Sequence, residues 1–241
     1  MKILLVPLAL ILFTVSAFPQ VSITPMKVIY VRQGDDLPDF KRRFEVTYPI
    51  VSGLKSERAK RQFEDTISYW TAFDTTLEEN LGDYYWLDTL DYEVPFNRSG
   101  IVVIRLFING SGAYVDGDLK TLVLDTNTGR RVTVREAFMN LPALVEKLVV
   151  MQEAAVAEEI ESRKEMDPDD AETIAEYMKD KTITVTSLDE FSVSDEGVTF
   201  HFDYGFPHVI QALQPNGDYL FTWEEIGPYL RKGGPLSRLR L

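Results

Sequence analysis

The sequence predicts an α+β fold, with mixed and antiparallel sheets packed against helices in two intimately associated subdomains. Three observations carry that reading. Strand-like alternation stands near both ends of the chain, at Phe44–Tyr48 and at Val198–Tyr204. A helical stripe of Leu144, Leu148, Met151 and Ala155 fills the stretch from Pro142 to about Arg163. Between them, Ile101 to Phe138 reads in unbroken succession as strand, glycine-rich turn, strand, tight turn and helix start. Strands, a helix, strands, helices and strands again is an α+β order, unlike a regular parallel one.

The first twenty residues, MKILLVPLALILFTVSAFPQ, have the make-up of a secretory signal. Lys2 supplies the charged start, Ile3 to Val15 the apolar core, and Val15-Ser16-Ala17 a small-residue cleavage site. The apolar run is shorter than the roughly 20 residues that span a bilayer, and Pro7 and Pro19 weaken it as an anchor. Residues 1–20 are therefore expected to be removed on export, leaving a periplasmic or extracellular chain with no membrane segment.

After that signal, Met26 to Arg32 is β-branched and aromatic, and Phe44, Val46 and Tyr48 alternate with Glu45 and Thr47 until Pro49 ends or edges the strand. Ser56 is the expected N-cap of a helix lined by Ala59, Phe63, Ile67 and Trp70, and Gly82 closes the region. Tyr92, Val94 and Phe96 form another alternating strand, whose Pro95 suggests an edge. Tyr84, Tyr85 and Trp86 before it are expected to pack in the core.

Ile101 to Ile108 is apolar except at Arg105, so both faces of that strand should be covered. Asn109 to Gly112 is expected as a loop, Asp116-Gly117-Asp118 as a turn, Thr121 to Leu124 as the returning strand and Asp125 to Gly129 as a hairpin turn. Thr133 and Glu136 form a capping box, Asp167-Pro168 starts a helix, Asp218 to Phe221 is the last strand, and Thr222 with Glu225 caps a final helix stopped by Gly233-Gly234. The expected units are an N-terminal subdomain over 21–130, a C-terminal one over 131–232 and a flexible tail over 233–241.

Composition narrows the function. A chain of 241 residues with 45% hydrophobic content can bury a full core. A net charge of −13 repels phosphate backbones, so nucleic acid is an unsuitable partner and a basic one suitable; acidity also serves solubility. The absence of cysteine removes disulfides, thiol catalysis and thiolate metal sites, and suits export into a bacterial envelope.

Several segments also resemble a known family. Tyr48-Pro49 followed by Ser52-Gly53-Leu54 resembles a Y-P-x-(I/L)-S-G-L opening, and Gly112-Ala113-Tyr114 falls at a Gly-Gly-Ala-His stretch. Leu124 to Arg130 with Arg135 to Phe138 resembles a D-x-x-T-G-K…L-x-D-L-F segment, and Ser194 to Phe200 a "deeGl.f.f" strand. In that order they resemble the bacterial DUF4163/DUF3298 pair of RsiV-like extracytoplasmic proteins. The resemblance implies a ligand that is an envelope protein or a peptidoglycan-related polymer; with the nucleophile–base constellations of catalysis missing, the expectation is an exported binding or sensing module without catalytic activity or cofactor. The alternative is an envelope hydrolase acting on cell-wall glycan or peptide. Tyr114 stands where the family carries histidine, so no ligand role of that histidine transfers.

The candidate ligand-binding residues are Gly112 and Tyr114 in the glycine-flanked loop, His208 after Pro207, and Tyr204 on the strand before it. His201 is expected to face solvent. No catalytic constellation is legible: there is no G-x-S-x-G elbow, phosphate loop or H-E-x-x-H. No metal site is expected, because Asp167, Asp169 and Asp170 suit a helix N-terminus and Asp125, Asn127 and Glu136 lack the glycine placement of a calcium loop.

Overall fold

The computed structural model describes residues 21–33, 37–82, 86–112 and 114–239. The expected signal segment lies outside them, as do Tyr84, Tyr85 and Ala113. β1 (Ser22–Val31) and β2 (Arg43–Ser52) pair antiparallel from Ser22↔Ser52 to Val31↔Arg43. Pro49 does not end β2. It stands opposite Pro25, and two residues without N–H groups fit where the ladder asks neither for a bond.

Ser56 caps α1 (Glu57–Thr66) by accepting from the Ala59 N–H at 3.1 Å, and Ala59, Phe63 and Ile67 are buried along it. The helix does not continue to Trp70. The chain breaks at Ser68 and restarts as α2 (Tyr69–Ala72), which places the Tyr69 hydroxyl where it donates to the Thr47 carbonyl at 2.6 Å. A Thr76–Glu79 capping box opens α3 (Leu77–Leu81), which ends at Gly82.

β3 (Leu87–Arg98), β4 (Ile101–Ser111), β5 (Val115–Asp125) and β6 (Arg130–Arg131) complete a six-stranded sheet in the order β1-β2-β3-β4-β5-β6. Only the β2–β3 contact is parallel, and it is confined to Glu45↔Thr89 and Val46↔Leu90. Pro95 therefore belongs to an interior strand, not an edge one. It sits at a register shift between Glu93 and Phe96 and beyond the short β2 contact, so its missing N–H is not required.

β4 is covered on both faces, as its composition requires. Val102, Ile104, Leu106 and Ile108 join a core with Phe44, Phe63 and Tyr69. Ile101 and Val103 join the opposite core with Phe138, Leu144, Phe191 and Phe200. The sheet is thus the middle layer between two cores, and residues on both sides of position 130 build the second one.

The β4–β5 hairpin is tighter than its glycines suggest. β4 runs through Asn109 to Ser111 and β5 already includes Asp116 to Asp118, with pairing as far as Ser111↔Val115. Gly110 serves close approach: a Cβ there would lie 2.4 Å from the Trp86 carbonyl oxygen. The second turn is as expected, with the Asn127 N–H donating to Asp125 Oδ1 at 2.9 Å and Gly129 at φ 74°.

Thr133 and Glu136 box the start of α4 (Val134–Ala137), followed by α5 (Leu141–Met166) and α6 (Pro168–Met178), which Asp167 caps by accepting from the Asp169 N–H. A second, antiparallel sheet contains β7 (Phe191–Val193), β8 (Gly197–His201) and β9 (Asp218–Thr222) in that order. Phe202 and Tyr204 lie past the end of β8. A Thr222–Glu225 box opens α7 (Trp223–Ile226). The expected flexible tail instead folds at Pro235–Leu239 into a 3₁₀ turn, burying Leu236 and Leu239 in the second core, while Arg238 pairs with Asp125 at 2.9 Å. No described helix is long and apolar enough to cross a membrane.

Candidate functional site

Strand alternation creates the site. Val103 and Val123 lie opposite each other under the second sheet, and the next pair on the same face is Arg105 and Thr121. There a cavity of about 600 Å³ opens between the outer part of the hairpin and the segment 201–218, lined by Arg105, Asp118 and Leu119 on one side and His201, Asp203 and Gln214 on the other.

The hairpin tip is held by a network around a buried lysine. Lys41 is 3% exposed, and its ammonium donates at 2.6 Å to both Asp88 Oδ1 and Ser111 Oγ. The Ser111 hydroxyl donates in turn to Asp88 Oδ2 at 2.6 Å, and its N–H to the Trp86 carbonyl at 2.9 Å. The Gly112 N–H closes the turn on the Tyr114 carbonyl at 3.0 Å. Trp86 packs against the first core, as the aromatic cluster there was expected to.

From this fixed tip Tyr114 projects outward, 76% exposed, and its ring centre lies 6.0 Å from that of His208. His208 opens the 3₁₀ turn His208–Leu213, which is anchored beneath by Phe206, Ile210 and Leu213 packing on Ile174 and Met178. The structure therefore brings Gly112, Tyr114 and His208 together. Tyr204 is different: it is buried in that supporting cluster, with its hydroxyl bonded to the Tyr219 hydroxyl. Burial raises both phenols above their ordinary range, which keeps them protonated. Its position is that of a support for the His208 segment.

His201 does not simply face solvent. Its Nδ1 is 2.6 Å from Asp218 Oδ1 and its Nε2 is 2.8 Å from Ser192 Oγ, a chain crossing β7, β8 and β9. The contacts follow the order of a serine-hydrolase triad. The setting differs: Ser192 is 8% exposed, and the residue after it continues β7 where a nucleophile elbow would turn into a helix and present oxyanion donors. Sequence reading missed this chain because Ser192 and Asp218 reach His201 through strand pairing, and β7 has only three residues to announce itself.

Among the described residues no three histidine, aspartate or glutamate side chains gather as metal ligands. Glu136 closes its capping box at Thr133, and Asp125 is engaged by Asn127 and Arg238.

No family model matches the chain, and no curated protein matches it either. Solved structures do. A member of the DUF3298 family from Bacteroides fragilis is 13% identical, with 91% of this chain and 96% of that one aligned at a TM-score of 0.56. A DUF3298 family protein from Pseudomonas aeruginosa PAO1 is 11% identical, with 88% and 94% aligned at a TM-score of 0.50. At such identities the likeness is one of fold, and the α+β fold of DUF3298 proteins is the one this chain has.

Proposed function

We propose that this chain, with the fold of DUF3298 proteins, is an exported cell-envelope binding module without catalytic activity. Its ligand is an envelope protein or a peptidoglycan-related polymer. The observation that carries the reading is the exposed Tyr114–His208 pair, held by the Lys41–Asp88–Ser111 network on one side and a packed turn on the other. An exposed aromatic offers a face for stacking on a sugar ring or anchoring a protein side chain. The apolar leader over 1–20 supports export, and the acidic charge favours a basic partner.

The test is retention of the purified chain on insoluble peptidoglycan and on a cationic wall-degrading protein such as lysozyme, each at low and high salt. Binding to one of them, weakened by Tyr114→Ala, supports the reading. Retention on neither sinks it.

A second reading, an envelope hydrolase, draws on the Ser192–His201–Asp218 chain. It requires Ser192 to become accessible. Covalent labelling by a serine-directed fluorophosphonate, lost in Ser192→Ala, would favour it over binding alone.

A further inference from the structure

The cavity between the β4–β5 hairpin and the segment 201–218 has an imbalance among its charges. Asp118 pairs with Lys120 at 3.1 Å, Glu190 with Arg131 at 3.2 Å and Asp218 with His201 at 2.6 Å. Asp203 accepts from the Gly205 N–H at 2.8 Å. Among the described charged residues lining the cavity, Arg105 alone has no partner. Its Nε is buried without a hydrogen bond, and among the described residues its guanidinium makes no hydrogen bond or ion pair. Glu93 stands directly opposite it on β3, yet it is exposed and forms no ion pair with it.

Such a group is expensive to keep. Strand β4 is otherwise apolar from Ile101 to Ile108, and an aliphatic residue at this position would spare the fold a half-buried, unpaired charge. A guanidinium presents a planar fork of N–H donors that matches a carboxylate two bonds at a time, and its charge is permanent. The surrounding acids already have partners, but each retains free lone pairs that accept from hydroxyl or amide N–H groups.

We infer that Arg105 anchors a carboxylate-binding subsite in this cavity, which takes a small ligand carrying one carboxylate beside hydroxyl or amide N–H donors. The inference rests on the binding-module reading and names a ligand class for this cavity. Two sources share that chemistry: the C-terminal carboxylate of a short peptide, and a sugar acid. In either case the carboxylate sits on the Arg105 fork and the N–H or O–H donors face Asp203 and Gln214.

Titration calorimetry with N-acetyl-D-alanyl-D-alanine, N-acetylmuramic acid and the carboxamide of each tests this. At least one acid should bind, its amide at least tenfold more weakly, and the responding acid identifies the source. Arg105→Met should abolish that binding while the melting temperature holds or rises, because the variant removes an unpaired charge. Binding by neither acid, or equal binding of acid and amide, overturns the subsite without use of any variant. A melting temperature that falls in Arg105→Met, with acid binding retained, assigns Arg105 to the fold instead. The ligand separates this inference from the reading beneath it: the subsite is read with small free acids and their amides, the docking surface with insoluble peptidoglycan and lysozyme. Retention on peptidoglycan or lysozyme without acid binding would remove the subsite alone. Acid binding without such retention would remove the polymer or protein ligand and leave the subsite.

Discussion

The ring of Tyr114 lies 6.0 Å from that of His208, inclined at 38°, although 94 positions separate them in sequence, and the contact joins the β4–β5 hairpin tip to the turn after Pro207. Because Tyr114 is 76% exposed, its replacement should separate binding from folding. Tyr114→Ala is expected to change stability by no more than about 0.5 kcal/mol. Retention on peptidoglycan or lysozyme should fall by the equivalent of about 0.5–1.5 kcal/mol, the worth of one aromatic contact. Unchanged retention in Tyr114→Ala and His208→Ala alike would remove this pair from the binding surface.

The Lys41–Asp88–Ser111 network predicts a stability effect at the base of the hairpin tip that carries Tyr114. Asp88→Ala strands an ammonium that is nearly fully buried, and should cost about 1.5–3 kcal/mol, the range for a hydrogen bond to a charged group. Lys41→Met in the same chain should recover much of that loss, since removing both charges is cheaper than orphaning one. Urea unfolding of the two single variants and the double variant measures the coupling. Strict additivity would mean that the ion pair contributes nothing.

What the sequence makes legible follows from range. The capping boxes at Thr133 and Thr222 are local, each needing only a hydroxyl and a glutamate three residues apart, and both form as written. The apolar run of β4 announces two covered faces because no other strand environment tolerates it. Tyr114 stands out as a bulky ring in a glycine-flanked turn. Nothing local marks Arg32, which is 1% exposed and donates to the carbonyls of Asn80, Lys41 and Leu87 while lying over the Phe44 ring. Its partners come from three separate segments and are backbone atoms, invisible to any side-chain pattern. The same holds for Ser192, His201 and Asp218, whose meeting depends on strand register. Arg105 left a signal, a lone charge in an apolar strand, whose meaning needed the cavity.

His201 should behave as a cross-strand tie. His201→Ala leaves Ser192 Oγ and Asp218 Oδ1 without their partner and should cost about 1–3 kcal/mol, chiefly through the buried serine. Under the binding-module reading, the folded protein should also resist fluorophosphonate. Labelling of wild type that disappears in Ser192→Ala would instead promote the hydrolase reading. Stability and labelling are thus independent readouts of one hydrogen-bond chain.

Acid should destabilise the protein partly through its helix caps. The carboxylates of Glu79 and Glu225 are held below their ordinary range: at Glu79 chiefly by the Thr76 hydroxyl and then the Thr76 N–H, at Glu225 chiefly by the Thr222 N–H and then the hydroxyl. With folded values below unfolded ones, the unfolded chain binds more protons as each group titrates, so stability rises with pH through that interval. The caps therefore contribute fully above the ordinary glutamate value of about 4.3 and lose their contribution as pH falls through the depressed folded values. A Glu79→Gln, Glu225→Gln variant should show a shallower fall in melting temperature below that point. At pH 7 its loss should be small, since glutamine still accepts from the same N–H groups. An acid limb as steep as that of the wild type would mean that other carboxylates carry the whole dependence, and the two caps would then have no part in acid unfolding.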